Sequence, residues 1–167
     1  MNNKKYLTNL KKVKLPGSLT ALKKMPPIVM PWHYEIDYIH SYGENSPFFA
    51  GLAKKQILGT KCVRCKTKFA TPRMSCMQCG GGCDWFRLPK RGRVHSWTKC
   101  YFGSEAFLKE TPYFLVLVEF PGVNTLMLSR LKNIKDEKQV TIDMEVEAHF
   151  TRKPKYQVTD LWFEKRR

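Results

Sequence analysis

The chain has 167 residues, 43% hydrophobic and 13% aromatic, with 30 Lys+Arg against 14 Asp+Glu and a formal net charge of +16. Such a composition can bury a core, which excludes a wholly disordered chain, and the length suits one ordinary domain or two very small ones. No stretch reaches the ~18 apolar residues that span a bilayer and no signal-peptide pattern opens the sequence, so the expected location is cytoplasmic, with no membrane partner.

The charge is uneven. Residues 1–25 hold seven lysines and no acid, and residues 51–100 hold twelve Lys/Arg against Asp84 alone. Residues 101–167 are nearly balanced. The positive field therefore belongs to an N-terminal arm and to the cysteine-rich stretch. The arm breaks at Pro16-Gly17; a short amphipathic helix that orders on a partner and a solvated tail fit it equally. A transit peptide fits less well, because the arm has no arginine.

Pro26-Pro27 and Pro31 mark a connector, so a first segment is expected over 1–45. In SPFFAGLAKK, Ser46 is a candidate N-cap with Pro47 at the first helical position. Phe48, Phe49, Leu52 and Ala53 then make an apolar face at helical spacing. A helix over Pro47–Lys55 is expected, followed by a strand from Gln56 that delivers Cys62. An apolar helix face beside a small domain also suggests surface awaiting a partner.

Next come Cys62-x-x-Cys65 and, ten residues later, Cys76-x-x-Cys79. Each pair bends a turn so that two thiolates converge, and two pairs close a tetrahedral shell around a metal. Four thiolates leave no position for water, so the metal is structural: Zn2+, with iron chemically possible in the same shell. Redox cysteines without metal are the plainer reading, and a doubled CxxC argues against it. Gly80 supplies the turn that a knuckle usually needs, whereas Lys66 is a less regular choice in the matching place. Cys83 competes with Cys79 as the fourth ligand, though CxxC spacing favours Cys79. Cys100 reads as a small strand residue. Helix and ribbon together should occupy 46–90.

From Val94 the apolar period becomes two. Val94, Ser96, Thr98 and Cys100 should share one face of a strand. YFLVLVEF (113–120) and VNTLMLSR (123–130) should pair across Pro121-Gly122. VTIDMEVEAHF (140–150) alternates strictly, with Val140, Ile142, Met144, Val146, Ala148 and Phe150 on one face, and YQVTDLWFE (156–164) is a last strand. Five short antiparallel strands over 91–167 predict an OB-like barrel. The fold class is thus mainly β: an N-terminal helical segment and a four-cysteine zinc ribbon, followed by a five-stranded OB-like barrel.

No histidine, serine, cysteine or lysine has the neighbours of a nucleophile or general base, and no P-loop, GxGxxG or HExxH is present, so no catalytic residues are expected in this chain. A zinc ribbon beside an OB barrel invites a nucleic-acid reading. The charge map argues against it, because the barrel segment is nearly neutral and shows Asp143, Glu145 and Glu147 to solvent.

SPFFAGLAKKQILGTKCVRC, TPRMSCMQCG, GRVHSWTKC (Gly92, Val94, Ser96, Thr98), YFLVLVEFPGV and IDMEVEAHF, in this order, resemble the DUF35 family of acyl-CoA-associated OB-fold proteins with a rubredoxin-like zinc ribbon. The resemblance spans about residues 45–165. Departures are the lysine-rich arm, Lys66 at a knuckle position where glycine is common, and Asp143 where glycine often precedes the methionine. The resemblance implies a non-catalytic subunit of a hetero-oligomer, packed on a thiolase-fold partner and contributing to the site of a CoA ester. It makes the basic ribbon the side that meets CoA, with Lys68, Arg73, Arg91 and Arg93 as contacts chosen by charge and position; a solvated face is the competing reading for each.

Overall fold

The computed structural model describes residue 17 and residues 33–36, 38–39, 41–104 and 107–166. The lysine-rich arm otherwise lies outside the described residues. Met1–His40 and Ser41–Arg167 are separate compact units. In the first, residues 33–36 and 38–39 have no regular secondary structure and expose Tyr34, Ile36, Tyr38 and Ile39. No helix among the described residues is long and apolar enough to cross a membrane.

The second unit opens with helix α1 (Ser46–Ala53). Ser46 is not its N-cap. A 3₁₀ turn at Gly43–Asn45 runs straight into the helix, Asn45 takes the cap position, and the Ser46 hydroxyl donates back to the Gly43 carbonyl at 2.6 Å. The helix ends two residues earlier than expected. Lys55 takes a left-handed φ of 58°, its N–H donates to the Leu52 carbonyl, and the Gln56 N–H reaches the Gly51 carbonyl. This is a Schellman close with lysine at the position glycine usually fills. Phe48 and Leu52 pack into the unit's main core, with Phe49 half-buried against it.

Strands β1 (Ile57–Cys62), β2 (Lys68–Phe69) and β3 (Cys83–Leu88) form a small sheet in the order β2-β1-β3. Strands β4 (Arg91–Cys100), β5 (Tyr113–Glu119), β6 (Met127–Lys132), β7 (Glu145–Phe150) and β8 (Leu161–Lys165) close a barrel in the order β4-β5-β6-β8-β7. The mainly β, five-stranded OB-like barrel is therefore present. One pairing differs from the all-antiparallel expectation: β6 and β8 run parallel, with Leu131 opposite Phe163.

Further departures are local. The register of β4 against β5 slips between Val94 and Ser96, so His95 is an extra residue. Beyond that bulge the faces exchange: Trp97 joins the core and Thr98 is exposed. The alternation from Val140 breaks at Asp143, whose φ of 61° belongs to a turn that leaves Ile142 exposed, so the strand begins only at Glu145. Val123 to Leu126 stay outside β6, and Tyr156 to Asp160 stay outside β8. In the latter stretch Tyr156 is left-handed and a 3₁₀ turn spans Val158–Asp160. Asp160 is buried there, its Oδ2 accepting the N–H groups of Lys155 and Gln157 at 2.8 and 3.2 Å.

Gly92 has a steric reason. A Cβ on it would lie 2.5 Å from Val118 Cγ1 and 2.7 Å from the Glu119 carbonyl oxygen, because β4 crosses β5 closely at this point.

The Val123–Thr125 segment has another task. The Asn124 Oδ1 accepts the Lys68 N–H at 2.9 Å while the Asn124 N–H donates to the Lys68 carbonyl, and the Thr125 hydroxyl accepts the Ala70 N–H at 2.9 Å. The β5–β6 connection thus clips the ribbon sheet onto the barrel. Asn124→Ala is expected to cost about 1 kcal/mol, the net worth of one such bond. Hydrogen exchange should quicken at the Lys68 amide and leave Ala70 protected.

Candidate metal centre

The four cysteines of the doubled CxxC converge. Their sulfurs all lie within 4.8 Å of one another, with Cys62–Cys79 and Cys65–Cys76 contacts of 3.5 Å. A tetrahedron with metal–sulfur bonds of about 2.3 Å has edges of about 3.8 Å. A small inward adjustment of the wider contacts, and slight opening of the shorter, accommodates one ion. A strand end and two tight loops make this possible. Cys62 closes β1, and its N–H donates to the Thr67 carbonyl so that Cys65 doubles back. In the second knuckle the Cys76 N–H donates to Gly81 and the Gly80 N–H to Cys76, with Gly80 at φ 68°.

The backbone also addresses the sulfurs. The N–H groups of Cys65 and Arg64 point at the Cys62 sulfur, and those of Gln78 and Cys79 at the Cys76 sulfur. Burial works to raise the Cys62 thiol, but those N–H groups outweigh it and the net direction is down. The Cys65 thiol is held down at about 6, first by the Thr67 hydroxyl 3.1 Å away and then by the Thr67 N–H. Burial pushes the Cys76 thiol up to about 11. Metal-free, Cys62 and Cys65 therefore give up a proton more readily than Cys76. A bound cation removes the distinction, since coordinated thiols are deprotonated.

Cys83 stands outside this group of four sulfurs, buried at the start of β3 with its thiol pushed up by burial first and then by Cys62. With Cys62, Phe69 and Cys76 it forms the ribbon's own small core. Cys100 is a half-buried strand residue.

The irregular Lys66 falls at φ 64°, in the left-handed conformation that glycine accepts without cost, and its ammonium donates to the Val63 carbonyl at 2.7 Å. Lys66→Gly is expected to add about 0.5 kcal/mol: a relieved Cβ penalty of roughly 1–2, less roughly 0.5–1 for the freer unfolded chain. The denaturation midpoint of the metal-loaded protein measures it.

The four basic candidates do not share one place. Arg91 and Arg93 lie on β4 and line a cleft of about 330 Å³ with Arg166, Glu119 and Glu145. Arg91 is already engaged by Glu147 at 3.7 Å, and Arg166 by Glu145 at 2.6 Å. Lys68 reaches over the Phe86 ring at 5.8 Å. Arg73 is a loop residue whose N–H is taken by the buried Thr60 hydroxyl at 2.9 Å. Sequence reasoning passed over Thr60, Thr67 and Arg166. Only Thr67 carried a signal, a hydroxyl two residues beyond Cys65.

A separate apolar slot of about 250 Å³ runs along the outside of the barrel between Phe107, Tyr113, Leu115, Leu128, Val158 and Leu161. Leu128 and Val158 are 62% and 67% exposed there.

Comparison with known proteins adds two kinds of likeness. Residues 85–151 match the family model of the ChsH2 C-terminal OB-fold domain. Among solved structures, a chain of the Ltp2–ChsH2(DUF35) aldolase superposes with a TM-score of 0.62 at 22% identity, covering 77% of this chain and 98% of that one. A DUF35-family protein of unknown function from Sulfolobus solfataricus superposes with a TM-score of 0.56 at 21% identity, covering 75% and 87%. At these identities the structural likeness is one of fold.

Proposed function

We propose, on the premise of the ChsH2-type OB-fold domain over residues 85–151, that this chain is a DUF35-type accessory subunit of an acyl-CoA enzyme complex. The observation that carries the reading is the likeness in fold to a chain of the Ltp2–ChsH2(DUF35) aldolase, over 98% of that chain and 77% of this one. The partner is a thiolase-fold protein. The chain stabilises it and contributes to the binding of the CoA ester, and the reacting groups sit on the partner. Size, basic balance and N-terminal region resemble the small subunit of benzoylsuccinyl-CoA thiolase, which points to benzoylsuccinyl-CoA thiolysis in anaerobic aromatic degradation as the reaction served.

In that complex the four cysteines hold a structural Zn2+ that fixes the ribbon, and the domain organisation is arm (1–45), helix plus ribbon (46–90) and barrel (91–167). The apolar slot on the barrel, where Leu128 and Val158 are exposed, is the surface we assign to the partner. Lys68 and Arg73 on the ribbon, and Arg91 and Arg93 in their own cleft on the barrel, are the CoA contacts assigned by charge and position.

Gentle affinity purification from the native host tests this. A thiolase-fold protein recovered in about equal amount, with CoA-ester turnover by the pair and none by the chain alone, is the expected result. Turnover by the chain alone, or recovery of nucleic acid in place of an enzyme, overturns it.

A further inference from the structure

The pairing of β1 with β3 sets Ile57 opposite Leu88 and Leu58 opposite Arg87. This register brings together two basic pairs that are distant in sequence. Lys54 and Lys55 close α1, while Arg87 and Lys90 flank the turn from β3 to β4. With Gln56, and Ile57 and Leu88 beneath, they line one open cleft of about 350 Å³.

The cleft has four cations in its wall and no carboxylate. None of the four belongs to an ion pair among the described residues; the Lys90 ammonium lies 5.4 Å above the Phe150 ring. Two other clefts among the described residues contrast with it, since each sets two carboxylates beside its cations. Arg91, Arg93 and Arg166 are accompanied by Glu119 and Glu145, and Arg130, Lys132 and Lys155 by Glu110 and Asp160. Like charges gathered without a counter-charge repel one another, and the cost is returned when an anion enters. The backbone adds a second cost at the same spot, because Lys55 occupies the left-handed closing position of α1 that favours glycine.

The helix end contributes its side chains to the cleft. The N–H groups of Lys54 and Lys55 are taken by helix carbonyls, those of Gly51 and Leu52 among them. Three ammonium groups and one guanidinium can meet several oxygens at once, the guanidinium in the planar fork that matches phosphate. A lone carboxylate would offset one charge of the four. A group with two nearby phosphates offsets most of them, and the cleft is open enough to admit it.

We propose that this cleft is a binding site for an anion with two or more closely spaced phosphates, the class to which the nucleotide end of a CoA ester belongs. The phosphate class follows from charge and placement; naming CoA as its source rests on the function proposed above. The site lies on the same basic ribbon as Lys68 and Arg73 but names different residues as the phosphate contacts.

Calorimetric titration of the full chain with adenosine 3′,5′-bisphosphate is the test. Binding should weaken as salt is raised. Arg87→Gln and Lys90→Gln should each lower affinity about tenfold, the worth of one charge-assisted hydrogen bond. Lys153→Gln, in the loop before β8, should leave affinity unchanged. Lys55→Gly separates binding from folding, because it should weaken binding while raising the melting temperature. Absence of binding, or equal binding by wild type and the cleft variants, overturns the proposal. So does an oligothymidine that binds more tightly than the bisphosphate through the same residues. A chain that binds the bisphosphate but recovers no thiolase-fold partner keeps the cleft and removes the function; the reverse pattern removes the cleft alone.

Discussion

Stripping the metal, or replacing Cys76 by serine, is expected to unfold the ribbon and to lower the stability of the whole unit. The ribbon's own core is Cys62, Phe69, Cys76 and Cys83, with Cys79 packed against it. Four small thiols and one phenylalanine cannot offset the ordering of the two loops that carry the ligands. A structural zinc in a small domain supplies roughly 10–16 kcal/mol, so its loss exceeds any other single change available here. The damage should spread, because Ile57, Ala70 and Leu88 belong to the main core that also fills the barrel. Metal analysis should find one ion per chain. Chelation should erase hydrogen-exchange protection across β1 to β3, lower the melting temperature and release any bound partner. A metal-free preparation with the same protection and melting temperature would refute the structural role.

The second large effect is expected at Phe163. It is fully buried, it lies opposite Leu131 on β6 and Ala148 on β7, and its ring sits 6.2 Å from that of Phe120. Strand β8 is the element that joins β6 to β7, so this side chain plugs the barrel where it closes. Phe163→Ala removes the ring and leaves a cavity between strands whose registers are fixed, at a cost of about 3–5 kcal/mol. Against a typical total of about 5–15 kcal/mol, that leaves a marginal protein. Leu128→Ala, at an exposed position of β6, should change the free energy of urea unfolding by no more than about 0.5 kcal/mol. Comparable losses at the two positions would mean that the barrel interior is not the principal core.

What could be read in advance followed from local chemistry. The doubled CxxC identified the four clustered sulfurs because the ligands of each knuckle are neighbours in sequence. The helix was legible from Phe48, Phe49 and Leu52, and Met144 to Phe150 from strict alternation. Where reading failed, a single backbone conformation had overridden the pattern. Asp143 turns left-handed and ends the alternation, His95 inserts one residue and exchanges faces, and Tyr156 keeps β8 short. Glycine, the residue that announces such places, stands at none of these three. The parallel β6–β8 pairing and the clip from Asn124 to Lys68 involve residues with no local signature for each other. The same holds for the cleft of Lys54, Lys55, Arg87 and Lys90: each pair reads as an ordinary basic run until the β1–β3 register sets them side by side.

The order of strands around the barrel also sets a timetable. β4, β5 and β6 are neighbours both in sequence and in space, so that meander can form as soon as its turns are made. Closure cannot follow until β7 has crossed back to β4, Arg91 meeting Glu147, and β8 has slotted between its ends, Arg130 meeting Trp162. Pairings between such distant residues slow folding, because the intervening chain must be gathered first. During synthesis the meander therefore waits with β4 and β6 both unpaired on their outer sides, the condition in which strands add to strands of other chains. The ribbon, whose strands and knuckles are close in sequence, can form in that interval and, through Asn124 and Thr125, hold the β5–β6 end of the meander in place while the last strand is still to come.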